Sequence, residues 1–300
     1  MTTRFGTLDG VVYGPPDAAV VCVLLHGIGL GPWFWEPWIP AFTAAGVRTI
    51  ALRMPGHGPG DADIGLTDTV TAVEAALDAI GGAPVLVGHS MAGLVAQILA
   101  SRRALGAVAL VCPLAAGQVR VFPPRRALPG GLALARPFFA GAPLRLGWSL
   151  YRALGLELLE EATARDIHAR IVPWPNRLCR DLVFARPVVD PALVNVPVLV
   201  ALGGRDALVP WRQARVLGDL YEAVTWRYDD LGHMPPWEPG GDRLGRDLAA
   251  WVAAPSRPKV LESEGYGPAE GVGHTTRRQR RGEEMKRRSA YGQKGSARGT

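Results

Sequence analysis

Residues 84–93 read Pro-Val-Leu-Val-Gly-His-Ser-Met-Ala-Gly, and this stretch constrains the fold more than any other. Residues 85–87 favour a strand, Gly88 opens a corner of small residues, and residues 94–100 continue as a helix-compatible apolar run. A strand, a tight turn and a helix in that order hold the Ser90 hydroxyl above the end of a sheet. Its backbone N–H then lies at a helix N-terminus, where negative charge is favoured. Such a serine suits acyl chemistry. Taken alone, the stretch equally fits a plain helix start with Ser90 as its N-cap, so the reading depends on a base, an acid and an oxyanion hole elsewhere in the chain.

The flanking sequence repeats the strand and helix alternation. Residues 20–25 are a continuous apolar run, the pattern of a strand buried on both faces of a parallel sheet, and 47–52, 107–111, 196–202 and 224–229 are read as further strands. Between them, Val70, Val73, Leu77 and Ile80 mark one face of a helix over 67–80 capped by Thr67 or Asp68, and a last helix is expected over 242–252. Right-handed βαβ units in a mostly parallel sheet follow. At the start, the alternation over 5–12 is broken by Asp9-Gly10, which predicts a hairpin turn there. The rhythm stops from 113 to 195, where repeated prolines punctuate short helical pieces such as 147–154 and 156–170 without a strand pattern. The arginines of this segment (Arg120, Arg125, Arg126, Arg136, Arg145 and Arg152) are read as a solvated face.

These features resemble the α/β-hydrolase family, whose nucleophile turn is Gly-x-Ser-x-Gly. Here the fifth place is Ala92 and the second glycine follows at Gly93. The resemblance implies an α/β-hydrolase fold, a mostly parallel sheet flanked by helices with a helical cap inserted after the sixth strand. It implies a core over 1–112 and 196–253 and a cap over 113–195. Gly203-Gly204-Arg205-Asp206 with Val209-Pro210 is similar to the family's acid loop, and Gly232-His233 with Glu238-Pro239 to its histidine loop. Ser90, Asp206 and His233 then stand as nucleophile, acid and base in the family's order. The loop His26-Gly27-Ile28-Gly29 resembles the oxyanion loop, which assigns the oxyanion donors to the backbone N–H groups of Ile28 and Met91. Trp33, Phe34 and Trp237 are expected to line the substrate pocket. Arg53 stands where the family usually has Asp, and His57 is read as a turn residue rather than a catalyst.

The implied function is a serine hydrolase cleaving an ester or related acyl substrate of a small molecule through an acyl-enzyme. The same triad also serves lactone or thioester hydrolysis, carbon–carbon bond hydrolysis and acyl transfer, and a binding protein without turnover is the remaining class. No cofactor is implied, and Cys22, Cys112 and Cys179 have no metal-ligand spacing. Hydrophobic residues make up 48% of the chain, enough for a substantial core, yet no run reaches the roughly 18 apolar residues of a membrane span. Without a signal-peptide pattern in the first residues, a cytoplasmic location is expected. Residues 254–300 hold 11 of the 33 Lys and Arg and 5 of the 27 Asp and Glu, so the formal charge of +6 lies there entirely. That composition predicts a basic disordered tail with no specific nucleic-acid or membrane partner.

Overall fold

The computed structural model describes residues 2–58, 61, 63–119 and 128–256. The basic tail from 257 onward, with Arg120, Arg125 and Arg126, lies outside the described residues. Eight strands form one sheet in the order β1-β2-β4-β3-β5-β6-β7-β8. They are β1 (Thr2–Phe5), β2 (Leu8–Tyr13), β3 (Val21–Leu25), β4 (Arg48–Leu52), β5 (Val85–His89), β6 (Ala107–Val111), β7 (Val198–Gly203) and β8 (Val224–Tyr228). The β1–β2 and β2–β4 pairs are antiparallel and all the others are parallel. Every residue of β5, β6 and β7 is buried, as their largely apolar sequence requires, His89 at the end of β5 included.

Helices α1 (Ile39–Ala44), α2 (Leu66–Ile80), α3 (Met91–Ala100), α8 (Trp211–Tyr221) and α9 (Gly241–Ala253) alternate with the strands, and α4 (Leu128–Phe139), α5 (Trp148–Leu154), α6 (Glu161–Arg170) and α7 (Asn176–Phe184) fill the interval between β6 and β7. This interval and the sheet fall within one compact unit, Met1–Lys259. All ten residues of α3 are buried. Its one polar side chain, Gln97, spends its amide fully: Nε2 donates to the carbonyls of Gly93 and Leu114, and Oε1 accepts from the Ala116 N–H and the Tyr221 hydroxyl. Four bonds make that burial tolerable and tie the segment after β6 to α3. Among the described residues no helix is long and apolar enough to cross a membrane.

Two local expectations are corrected. The first hairpin turns at Gly6, which has φ 56°, because Phe5 pairs with Leu8 and places Asp9 and Gly10 inside β2. Asp9 is spent there on ion pairs, 3.2 Å to Arg4 across the hairpin and 2.6 Å to the distant Arg53. Arg53, unusual at its place in the family pattern, therefore ties the end of β4 to β2. Helix α2 starts one residue early, with Gly65 as its N-cap, and Asp68 reaches back to accept the Gly65 N–H at 3.0 Å.

The register aligns the carboxyl ends of the central strands, with Leu25 beside Gly88, Gly88 beside Leu110, Val111 beside Ala201 and Gly203 beside Tyr228. The loops after β3, β5, β7 and β8 thus open on one edge. Strand order reverses at β3, since β4 lies on one side of it and β5 on the other, and a crevice at that edge follows.

Candidate active site

Ser90 caps α3 with φ 53° and ψ −121°, a conformation that a non-glycine residue holds only where its surroundings over-determine it. The surroundings are visible. The Ser90 N–H donates to the Val111 carbonyl at 3.0 Å, and the Ser90 carbonyl accepts from Gly93 and Leu114 at 2.9 and 2.8 Å. A side chain on Gly88 would strike the carbonyl oxygen of Ala92, and one on Gly93 would lie 2.5 Å from Pro113 Cβ. The two places that demand glycine are therefore 88 and 93, and the methyl of Ala92 is accommodated in full burial.

The loop after β7 brings Asp206 and the loop after β8 brings His233. His233 Nε2 lies 3.0 Å from Ser90 Oγ, and its Nδ1 lies 2.8 Å from Asp206 Oδ2. An ionised carboxylate only accepts, so the imidazole proton sits on Nδ1 and the Nε2 lone pair faces the serine hydroxyl. Asp206 Oδ1 accepts from the N–H groups of Leu208 and Val209, each at 2.8 Å. One carboxylate thus both folds its own loop and orients the histidine. Burial pulls the His233 imidazolium down, but the charge and hydrogen bond of Asp206, helped by Glu238 and Glu157, outweigh it and raise its pKa above the ordinary value.

On the other side of Ser90, a side chain on Gly27 would lie 2.8 Å from His89 Nδ1 and 3.0 Å from Ser90 Cβ, so the loop after β3 leans directly on the serine turn. Ile28 follows it. Met91 is the first residue of α3, where helix N–H groups have no intrahelical acceptor.

The sequence and fold have counterparts among known proteins. The sequence model described as the alpha/beta hydrolase family matches residues 22–246. The chain belongs to the alpha/beta hydrolase family. It is 30% identical over 270 residues to a Variovorax paradoxus protein assigned as carbamate hydrolase RutD, covering 82% of this chain and 97% of that one. It is 32% identical over 237 residues to the pimeloyl-[acyl-carrier protein] methyl ester esterase of Aromatoleum aromaticum, covering 71% of this chain and 90% of the relative. A thermophilic esterase from Thermogutta terrifontis shares the fold with a TM-score of 0.63 at 20% identity, over 84% of this chain and 96% of that one.

In this alpha/beta hydrolase the cavity beside Ser90 has a volume of about 90 Å³. Ile28, Leu208, His233 and Met234 line it from the sheet side, and Leu146, Tyr151, Leu156 and Trp174 from the segment between β6 and β7. Trp33, Phe34 and Trp237, the expected pocket residues, are not among the lining residues. Phe34 is fully buried with its ring 4.3 Å from that of His89, and the Trp237 indole N–H donates to the Phe34 carbonyl at 2.9 Å. Trp33 meets Trp237 edge to face at 5.9 Å and carries the Arg170 guanidinium 4.2 Å from its ring. The cause is the 3-10 helix Pro32–Trp38, which turns the cluster into packing between the loop, β5 and the end of α6.

Two contributors escaped sequence reasoning. His89, inside the serine motif, donates its Nε2 proton to the His233 carbonyl at 2.8 Å, and burial holds it well below the ordinary imidazole range and so neutral. Glu238 accepts from the N–H of Gly232 at 2.5 Å and from that of Met234 at 2.9 Å, the two amides flanking His233. Its only sequence signal is the Glu-Pro pair after the histidine. His57 is a buried structural residue, 5.2 Å from the His26 ring. Among the described residues, ligand atoms of Cys112, Asp206 and His233 come within 4.8 Å of one another. Burial and the Asp206 charge push the Cys112 thiol well up, which keeps it protonated beside an aspartate and histidine already paired to each other.

Proposed function

We propose that this protein is a serine hydrolase that cleaves an ester or related acyl bond of a small molecule through an acyl-enzyme on Ser90. The observation that carries this reading is the unbroken relay from Ser90 Oγ to His233 Nε2 and from His233 Nδ1 to Asp206. His233 accepts the hydroxyl proton as the Ser90 Oγ–carbon bond forms, then returns that proton to the departing alcohol. Asp206 stabilises the imidazolium and keeps its tautomer. The backbone N–H groups of Ile28 and Met91 meet the oxyanion, and one such donor is worth about a hundredfold to a thousandfold in rate. Water then attacks the acyl carbon with His233 again taking the proton, and Ser90 Oγ leaves with it.

Two relatives named for a carbamate and a methyl ester, both carbonyls bonded to a heteroatom, support the same bond class here. Residues 113–195 act as the cap. The lining that Leu146, Tyr151, Leu156 and Trp174 give to the cavity supports a role in excluding water from the acyl-enzyme. A binding protein without turnover would call for a missing relay member, and Ser90, His233 and Asp206 are all present and bonded. A fluorophosphonate probe is expected to label wild type on Ser90 and to leave Ser90→Ala unlabelled. Folded wild-type protein that stays unlabelled would overturn the reading.

A further inference from the structure

The cavity has one side chain whose chemistry the proposed reaction does not use. Tyr151, on α5, lines it together with Trp174, and the Trp174 indole N–H donates to the Tyr151 hydroxyl at 3.0 Å. An indole nitrogen is a donor only, so the tyrosine oxygen is the acceptor in this bond and its own hydrogen remains to be donated. No side-chain or backbone acceptor for that hydrogen occurs among the described residues. The other side-chain donors at the cavity are committed: the Ser90 hydroxyl faces His233 Nε2, the His233 Nδ1 proton goes to Asp206, His89 gives its Nε2 proton to the His233 carbonyl, and Trp174 gives its N–H to Tyr151. Leucine, isoleucine and methionine side chains make up most of the remaining lining.

Tyr151 is also held in place. Its ring meets those of His168 and Trp174 edge to face, at 5.5 and 6.0 Å. Trp174 is fixed in turn by a pair of backbone bonds with Leu144, at 2.7 and 3.0 Å, and by its indole lying where any side chain on Gly29 would stand. The Val172 N–H donates to the Gly29 carbonyl at 2.9 Å, which seats this arm of the insertion on the loop after β3. Burial raises the Tyr151 hydroxyl well above the ordinary tyrosine range, so it is a donor and not a base.

We propose that Tyr151 is a specificity-determining residue that selects, among uncharged acyl substrates, those carrying a neutral hydrogen-bond acceptor in addition to the scissile carbonyl. A keto, ether or amide oxygen on an otherwise apolar substrate fits, because a substrate without it leaves a desolvated hydroxyl unpaired. A charged group is disfavoured, since among the described residues no lysine or arginine lines the cavity and an unpaired charge is costly to bury.

The inference rests on the hydrolase reading above, and the test separates the two. Wild type and Tyr151→Phe are compared on matched ester pairs in which one oxygen of the acyl or alkoxy chain is replaced by methylene. Fluorophosphonate labelling of Ser90 and the melting temperature are measured for both proteins. The expected result is that Tyr151→Phe loses about three- to tenfold in kcat/KM on the oxygen-bearing ester, the worth of one neutral hydrogen bond. On the methylene ester it should show no loss and a gain in kcat/KM, because the variant has no hydroxyl to leave unpaired, and Ser90 labelling should persist while the melting temperature falls as the Trp174 N–H loses its acceptor. Equal losses on both esters would make Tyr151 a donor to the oxyanion and overturn the proposal, as would no loss on either. Wild type that neither labels nor hydrolyses any ester would instead remove the reading on which it rests.

Discussion

Glu238→Gln separates two effects that meet at the loop carrying His233. The carboxyl group is buried, and its two oxygens accept the Gly232 and Met234 N–H groups on either side of His233. Glutamine keeps the shape but has one acceptor oxygen, so one amide faces an NH2 group. A buried donor left unpaired costs about 1–3 kcal/mol, a sizeable part of the 5–15 kcal/mol typical of a folded domain. The second effect has the opposite sign. Burial pushes the Glu238 carboxyl up to about 7, against the two N–H donors that favour its ionised form. Because the folded chain holds this proton more tightly than the unfolded chain, whose carboxyl titrates at the ordinary 4.5, the contribution to stability is full below pH 4.5 and is lost as pH rises to about 7. That loss is about 3 kcal/mol for a shift of this size. Urea unfolding of both proteins from pH 4.5 to 8 reads it directly. Wild type should lose stability relative to Glu238→Gln by about 3 kcal/mol between pH 4.5 and 7, and kcat of the variant should fall by tenfold or more as the loop loses its fixed geometry. Parallel stability curves for the two proteins would refute the reasoning.

Four further outcomes follow from the same geometry. Gly93→Ala places a methyl 2.5 Å from Pro113, and should cost about 1–3 kcal/mol in thermal unfolding and lower the rate of Ser90 labelling. Gln97→Ala leaves the Ala116 N–H without its acceptor and opens a gap in a fully buried helix, so urea unfolding should show a loss of about 2–4 kcal/mol. With the His233 pKa raised and the neutral imidazole as base, kcat/KM should climb with pH through a midpoint above 6.5. Asp206→Asn should cut kcat by about 10⁴-fold, as loss of the orienting carboxylate does in serine triads.

The serine turn was legible because it is a backbone demand: close approaches at 88 and 93 exclude side chains, and sequence shows that as small residues at fixed spacing. Asp206 and His233 were legible because each follows a strand in a short loop whose residues, 203–210 and 232–239, resemble the family pattern. The hairpin turn was misplaced because Asp9-Gly10 carries a local turn signal, whereas its actual use, pairing Asp9 with Arg4 and Arg53, is tertiary. The aromatic cluster failed as a pocket prediction for the same kind of reason. A side chain that lines a cavity and one that packs a loop have the same composition, and only the 3-10 turn at Pro32–Trp38 decides between them. Tyr151, Trp174 and Glu238 act through partners 23, 23 and 4 to 6 residues away, with no periodic pattern to mark them.

The central claim is that bond cleavage passes through a covalent acyl group on Ser90. Wild-type protein mixed with a p-nitrophenyl ester and quenched in acid within the first turnover should gain the mass of the acyl group, carried on the peptide that contains Ser90, together with a stoichiometric burst of nitrophenol. Nitrophenol release that continues undiminished in Ser90→Ala, or an acyl mass on any other residue, would contradict the account.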